Sequence, residues 1–229
     1  MRTWNAVRSA GMMLIMALGV AACGSDDEEP RYISIEEVCD GIFSGDAARA
    51  AEIMIGDKTV SGTRDDTLEK IASSIKELYA DGQNIYKAGG YCKVGGKGGG
   101  DGEMDINFGL YRADDVLTPY NPEKNQYRLG KRAFAGSERS KLYFECASPE
   151  IKGSDNQPAR IYAISRLANV GSWEVEDTRA TREAHLTVLH AAALAVAKEL
   201  GCENNGGLPE KVVLEPIADP VEPSGAPAT

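Results

Sequence analysis

The cysteines constrain the fold of this chain more than any other feature of its sequence. There are five of them, at positions 23, 39, 92, 146 and 202. Cys23 follows an apolar N-terminal run, whereas the other four are spread along the chain at spacings above 50 residues. The role of Cys23 therefore decides whether the remaining cysteines form an even set, which two disulfides would use completely.

The N-terminus has the pattern of an export signal. Arg2 and Arg8 form a positive region ahead of an apolar run from Gly11 to Ala22. That run is much shorter than the roughly 20 apolar residues that a helix needs to cross a bilayer. We therefore expect residues 1–22 to be a cleaved signal peptide and not a transmembrane helix.

The segment Val20-Ala21-Ala22-Cys23 resembles the lipobox of bacterial lipoproteins, and Gly24 and Ser25 follow it as is common. The resemblance implies cleavage before Cys23 and lipid on that cysteine, which would hold the protein at the extracytoplasmic face of a cell membrane. Two or more acyl chains make such an anchor stable, because each buried methylene contributes about 0.8 kcal/mol. The alternative is a secreted protein with a cysteine at its cleavage site by chance.

Charge and composition divide the rest of the chain. Residues 23–33 contain four consecutive acidic residues and are predicted to be a solvated tether. Residues 34–217 are long enough for a single domain, and the Pro-rich residues 218–229 are predicted to be a disordered tail. Loss of residues 1–22 moves the net charge from −10 to −12. This balance argues against nucleic acid as a partner, because its phosphates would be repelled.

Once Cys23 is assigned to lipid, an even set of cysteines remains in an oxidising compartment. This predicts two disulfides, with three possible pairings. A metal site is the alternative, but the chain has no C-x-x-C pair. The disulfide cysteines are Cys39, Cys92, Cys146 and Cys202.

Helical and strand patterns alternate along the chain. Ser34 and Glu37 match a capping box, which predicts a helix that carries Cys39. Apolar periodicity predicts further helices over 44–55, 65–80 and 178–200. Runs rich in aromatic and β-branched residues predict strands over 84–94, 103–112, 141–147 and 159–167. We expect an α+β fold in which helices pack on one face of an antiparallel sheet.

A weak internal repeat favours one of the three disulfide pairings. When Cys92 is aligned with Cys146 without a gap, Phe108 falls on Tyr162 and Arg112 falls on Arg166. Each unit then has one cysteine on a hairpin and one on a helix, which favours Cys39 with Cys92 and Cys146 with Cys202. Chance matching is the alternative, since few positions agree.

Several fragments imitate catalytic motifs. Ser73 and Lys76 match S-x-x-K, but they lie on the polar side of a predicted helix, and Ser154-Asp155-Asn156 has no K-T-G after it. The glycine tract 95–100 lacks the Ser or Thr of a phosphate loop and is interpreted as a flexible connection. We therefore predict no catalytic residues and no cofactor.

Carboxylates at alternate positions give a weak metal candidate. Asp101, Glu103 and Asp105 would point to one side of a strand, as calcium ligands do, but the EF-hand pattern fails and a solvated strand face is the alternative. His185 and His190 are five residues apart on a predicted helix and cannot chelate one ion. Most of the aromatic residues near the strands are expected to be core: Tyr111, Tyr120, Tyr127, Tyr143, Tyr162 and Trp173.

The lipobox, Cys39-Asp40-Gly41 and the closing segment 197–205 together resemble small actinobacterial cell-envelope lipoproteins of uncharacterised function. The resemblance carries no catalytic residues. We expect a non-enzymatic binding or accessory module, which binds a wall component or another exported protein through an exposed aromatic or concave patch on the sheet. The alternative is an envelope hydrolase of unrecognised type, with or without the assistance of a metal ion.

Overall fold

The computed structural model describes residues 32–63, 67–82, 86–97, 102–116, 125–168 and 174–217. The expectations for the signal peptide, for lipid on Cys23 and for the tail 218–229 concern residues outside these ranges. Asp101, Tyr120 and Trp173 also lie outside them.

Eight strands form a single antiparallel sheet. Their order across the sheet is β1-β2-β3-β4-β8-β7-β6-β5. Each half of the chain therefore contributes four strands in succession, and the halves join where β4 pairs with β8. The strands are β1 Tyr32–Ser34, β2 Thr59–Thr63, β3 Tyr86–Gly96, β4 Glu103–Leu110, β5 Asn125–Tyr127, β6 Arg132–Ala135, β7 Arg139–Cys146 and β8 Ala159–Ala168.

The α-helices in the described ranges pack on one face of this sheet. They are α1 Asp46–Ile55, α2 Leu68–Ala80 and α3 Arg179–Glu199. Helix α3 contacts β6, β7, β8 and α1, while α2 contacts β3 and β4. The expected α+β architecture is confirmed. The sheet begins at Tyr32, two residues before the predicted start of the domain.

Helix α3 follows closely from its sequence. The Thr178 hydroxyl accepts from the Thr181 N–H and the Thr181 hydroxyl accepts from the Thr178 N–H, so the helix begins with a reciprocal cap. Gly201 ends it with a φ of 63°, a conformation that glycine adopts without strain. Between these ends, Leu186 and Leu189 are fully buried against the sheet.

The helix predicted to begin at Ser34 is wrong. Ser34 is the last residue of β1 and pairs with Thr59 of β2. Its carbonyl accepts from the Glu37 N–H at 2.9 Å, which closes one turn, but Cys39 and Asp40 then take φ values of 51° and 62°. An α-helix cannot include such residues. Sheet pairing on one side and a disulfide on the other therefore override the local capping signal.

The predicted disulfide pairing is confirmed. Cys39, in the turn after β1, is bonded to Cys92 of β3, and their Cα atoms are 5.6 Å apart. Cys146 of β7 is bonded to Cys202, just after α3, across a Cα distance of 5.0 Å. Each half of the sheet is therefore tied to a segment on its helical side.

The ungapped alignment of the two hairpins is wrong by one residue in the second strand. Cys92 lies opposite Ile106, whereas Cys146 lies opposite Ala159. Phe108 consequently faces the helices, while Tyr162 points to the opposite face with Tyr143. Because side chains alternate along a strand, a shift of one residue exchanges the two faces of a sheet.

Candidate functional site

The outer face of the sheet is the face opposite the helices, and the strand register defines its residues. The first row across β7, β8 and β4 is Arg139, Arg166 and Asp105. The second row is Lys141, Ile164 and Asn107, and the third is Tyr143, Tyr162 and Gly109. Successive rows are about 7 Å apart, since two strand residues separate them.

The outer face has a charge opposite to that of the whole chain. The chain has a net charge of −10. On the described strand positions of this face, however, basic residues outnumber acidic ones. The basic residues are Lys93, Arg132, Arg139, Lys141, Arg160 and Arg166, and the acidic residues are Glu103, Asp105 and Glu145.

The metal candidates Glu103 and Asp105 lie on this face with basic partners. Glu103 Oε1 is 3.0 Å from Lys93 Nζ, and Asp105 Oδ2 is 3.6 Å from Arg166 Nη1. Asp105 also accepts from the Asn107 amide at 2.5 Å. Within the described ranges, no group of three or more His, Cys, Asp or Glu residues is placed to hold a metal ion. The two carboxylates therefore act in cross-strand ion pairs.

An open cleft of about 740 Å³ lies at the first row of the outer face. Asp105, Arg139 and Arg166 line it from the sheet, and Arg182 lines it from α3. Arg139 and Arg166 are directly opposite each other, which is an unfavourable arrangement for like charges. Asp105 Oδ2, 3.6 Å from Arg166 Nη1, offsets part of this repulsion.

The helical side of the cleft has fixed charges of both signs. Arg182 Nη1 is 3.0 Å from Asp177 Oδ1, and the same nitrogen donates to the Asp177 carbonyl. Glu138 and Glu174 also line the cleft, and neither forms an ion pair within the described part of the chain. The cleft therefore presents guanidinium groups beside carboxylates that are open to a ligand.

An aromatic cluster lies on the outer face two rows from the cleft. The Tyr143 ring meets Tyr111 and Phe134 edge to face, with centroids 5.0 Å and 6.1 Å away. These three rings are buried, and only Tyr162 beside them is partly exposed. Lys141 Nζ lies 5.9 Å from the Tyr143 ring centroid and 6.0 Å from that of Tyr162. The sheet thus has an aromatic patch, but most of it is core, as expected for these tyrosines.

Burial raises the pKa values of the tyrosine hydroxyls in this cluster. It raises the pKa of Tyr143 to about 12, and the carboxylate of Asp115 acts in the same direction. Burial also raises the pKa of Tyr111, whose hydroxyl has no hydrogen-bond partner in the part of the chain that the structure describes. Both phenols are therefore neutral at physiological pH, and the Tyr111 hydroxyl is an unsatisfied polar group.

A hydrogen-bonded serine and histidine pair lies behind the cleft, and no motif in the sequence predicted it. His185 Nδ1 is 2.8 Å from the Gly136 carbonyl and must donate to it, since a carbonyl only accepts. His185 Nε2 therefore accepts from the Ser165 hydroxyl at 2.7 Å. A catalytic serine uses the same orientation, but Ser165 and His185 are both 0% exposed. The pair fixes α3 to β8 and to the turn before β7.

The serine motifs found in the sequence do not assemble into a site. Ser73 is exposed on α2, and Lys76 is ion-paired with Glu150. Ser154 is fully buried, and its hydroxyl bonds to the N–H and the carbonyl of Ser148. These serines therefore hold a turn or face solvent without a base beside them.

A second groove, of about 380 Å³, lies on the helical side between α1, α3 and residues 210–212. His190 lines it and donates from Nε2 to the Pro209 carbonyl at 2.9 Å, so it packs the helix as predicted. Burial lowers the pKa of His190. Lys198 and Glu210 form an ion pair of 2.6 Å at the same groove.

Comparison with protein-family models, curated proteins and solved structures finds no match to this chain. Among the described residues, no helix is both long enough and apolar enough to cross a membrane.

Proposed function

We propose that this chain is a lipid-anchored binding module of the cell envelope, held at the extracytoplasmic face of a membrane through Cys23. The proposal takes the anchor from the lipobox pattern that ends at Cys23. The two disulfides support it, because disulfides form and persist outside the reducing cytoplasm. In this proposal the outer face of the sheet is the binding surface.

The charges of the outer face are the reason to propose it as the binding surface. The outer face combines an excess of basic side chains with an open cleft, in which Arg139 lies directly opposite Arg166. A sheet face that only contacts water is not expected to place like charges opposite each other, since this costs stability. A ligand that pairs with Arg139 and Arg166 would compensate for this cost, so a binding role accounts for the arrangement.

Binding fits the geometry better than hydrolysis does. The Ser165 and His185 pair has the orientation of a nucleophile and its base, but neither side chain reaches the surface. In the described ranges the other serines of catalytic motifs lack a base. We therefore propose a non-enzymatic role.

Two measurements on the exported full chain test the proposal. Wild-type protein should incorporate a labelled fatty acid and sediment with membranes, while Cys23→Ser should do neither. Envelope fragments should bind the wild type at least about tenfold more tightly than Arg139→Gln/Arg166→Gln.

The matched control is Arg49→Gln/Lys58→Gln, which removes two equally positive, exposed side chains that lie away from the outer face. This control should bind as the wild type does. Equal losses in the two variants would exclude the outer face as the binding surface. A wild-type chain that took up no fatty acid would overturn the anchor.

A further inference from the structure

Residues 209–217 form a strap that runs from the helical side of the molecule to the edge of the sheet. At the sheet edge the strap pairs with β5 through two backbone hydrogen bonds of 2.8 Å. The Arg128 N–H donates to the Glu215 carbonyl, and the Ile217 N–H donates to the Gln126 carbonyl. Because β5 is the last strand in the sheet order, the strap covers its backbone edge.

The strap lies on the surface as a single extended layer. Its side chains alternate, so that Val212 and Leu214 pack partly against the core while Val213 between them is 57% exposed. The residue before the strap, Leu208, is buried and fixes the point from which the strap leaves the core. A segment with half of its side chains exposed and two backbone bonds to the sheet is expected to open before the sheet unfolds.

The first residue of the strap is held by His190 of α3. His190 Nε2 donates to the Pro209 carbonyl at 2.9 Å, so Nδ1 is the nitrogen that takes up a proton in acid. The His190 side chain lines the groove of about 380 Å³ between α1, α3 and the strap, and the residue is only 4% exposed. A proton on His190 would therefore place a positive charge in a largely buried position.

The charged groups around His190 do not compensate for this burial. Those that line the same groove are Asp46 of α1, Lys198 of α3, and Glu210 and Lys211 of the strap. Both carboxylates already have partners, since Asp46 pairs with Arg49 and Glu210 pairs with Lys198. Burial therefore lowers the pKa of His190, although the Pro209 carbonyl and Glu210 act in the opposite direction.

This arrangement links the strap to pH. When the strap lifts, water reaches the His190 ring and its pKa returns toward the ordinary value of 6.5. As the pH falls below 6.5, proton uptake therefore favours the open strap, by up to about tenfold per pH unit until the pKa of the closed form is reached. Glu210 acts in the same direction at lower pH, because hydrogen bonds from Lys198 and Asn205 lower its pKa.

We propose that residues 209–217 are an acid-sensitive strap, which closes over α3 and the edge of β5 at neutral pH and opens as the pH falls. Opening frees the Gln126 carbonyl and the Arg128 N–H, so an additional strand edge becomes available under acid conditions. The strap involves the helical side and the sheet edge, and its opening does not depend on the outer face or on its ligand.

Hydrogen exchange of the full chain, exported and kept in detergent micelles, tests the strap at about pH 7.5 and about pH 5. The reporters are the amide hydrogens of Arg128 and Ile217, and the reference is β4 at the centre of the sheet. After correction for the intrinsic effect of pH on exchange, protection of the reporters should fall by about tenfold in acid while protection of β4 is unchanged. Unchanged reporters, or an equal loss in β4, would overturn the strap.

Three variants identify the group that responds to pH. His190→Gln keeps a donor for the Pro209 carbonyl but cannot be protonated, so its strap should be equally protected at both pH values. Glu210→Gln breaks the pair with Lys198 and should lower protection at both pH values by the same factor. Lys76→Gln, which breaks an exposed ion pair elsewhere, should behave as the wild type does. A His190→Gln protein that lost protection in acid as the wild type does would contradict the proposal.

A measurement on the wild type keeps the test independent of how the variants fold. NMR of the His190 ring signals gives the pH at which this side chain is half protonated. That pH should lie below 6.5 and should coincide with the midpoint of the loss of strap protection. Midpoints that differ by more than about one pH unit would assign the opening to another group and overturn the proposal.

Discussion

The two halves of the sheet have the same strand order but place their helices differently. In the first half, α1 lies between β1 and β2 and α2 lies between β2 and β3. In the second half, β5 to β8 follow one another without a helix, and α3 comes after them. Each half has one disulfide, with sequence separations of 53 and 56 residues. Different routes of the chain thus produce similar four-stranded units.

The difference shows which half provides the surface features. Arg139, Arg166 and Tyr162 all belong to strands of the second half, and the first half adds Asp105 from β4. Strand β3, by contrast, contains four glycines and two register irregularities. The first half therefore contributes mainly to the core, while the second half contributes to both the core and the outer face.

Removal of each disulfide should have the largest effect on stability, and it tests whether the two halves depend equally on their disulfides. A disulfide that closes a loop of this length is expected to contribute about 4 kcal/mol to the free energy of unfolding, because it reduces the conformational entropy of the unfolded chain. Cys39→Ala/Cys92→Ala and Cys146→Ala/Cys202→Ala should therefore show similar losses in urea denaturation. Losses that differ by more than about 1 kcal/mol would mean that one half depends on its disulfide for native structure.

The next largest effect should come from the buried pair of the second half. Ser165→Ala removes the buried hydroxyl that bonds to His185 Nε2 at 2.7 Å, which should cost about 1–3 kcal/mol of unfolding free energy. Ser61→Ala is the control in the first half, where the hydroxyl makes only a 3.4 Å contact with the Gly95 carbonyl. Its effect should stay below about 0.5 kcal/mol. A Ser165→Ala protein as stable as the control would show that the pair does not hold α3.

One substitution should have opposite signs at two tyrosines. Tyr91→Phe removes a 2.7 Å bond to the Cys39 carbonyl in the first half, and should cost about 1 kcal/mol of unfolding free energy. Tyr111→Phe removes a buried hydroxyl without a partner in the described ranges, and should leave stability equal or higher by up to about 1 kcal/mol. Thermal unfolding of the two variants measures both effects. Clear destabilisation by Tyr111→Phe would mean that the hydroxyl has a partner after all.

The smallest predicted effect is on the pH dependence of stability. It distinguishes the halves because both histidines lie on α3, which belongs to the second half. Burial lowers the pKa of His190 below its ordinary value of 6.5, so the unfolded chain binds more protons between the two values. The stability that depends on neutral His190 is complete above pH 6.5 and is lost as the pH falls toward the folded-state pKa. His190→Gln should flatten the dependence of the urea midpoint on pH between 7.5 and 5. An unchanged slope would assign the dependence to other groups.

The long helices were predictable because apolar periodicity is a local signal. The disulfides were predictable because an even number of cysteines remains after Cys23 is assigned to lipid. Helix α3 was predicted over 178–200 and runs over Arg179–Glu199, since its apolar periodicity and its glycine stop agree. The short strands β1, β2, β5 and β6 were not predicted. Three to five residues are too few for a clear alternation, and pairing with a neighbouring strand decides their structure.

The candidate site was less predictable than the fold. The sequence singled out Asp105 and Tyr162 without placing them on a common face. It gave no reason to join Ser165 to His185 or Arg139 to Arg166, because neither pair is close along the chain. The one-residue error in the hairpin alignment placed Phe108 with Tyr162, and that error alone would have put the aromatic surface on the wrong side.

The sequence by itself determined that Cys39, Cys92, Cys146 and Cys202 form an even set, that α3 is a long helix and that strands occupy the middle of the chain. These properties depend on residue type, spacing and periodicity, which act over a few residues. Only the tertiary structure decided that β4 lies beside β8 and that Arg139, Arg166 and Arg182 line one cleft. The physical reason is that strand pairing across more than 50 residues sets the register, and the register decides which side chains share a face.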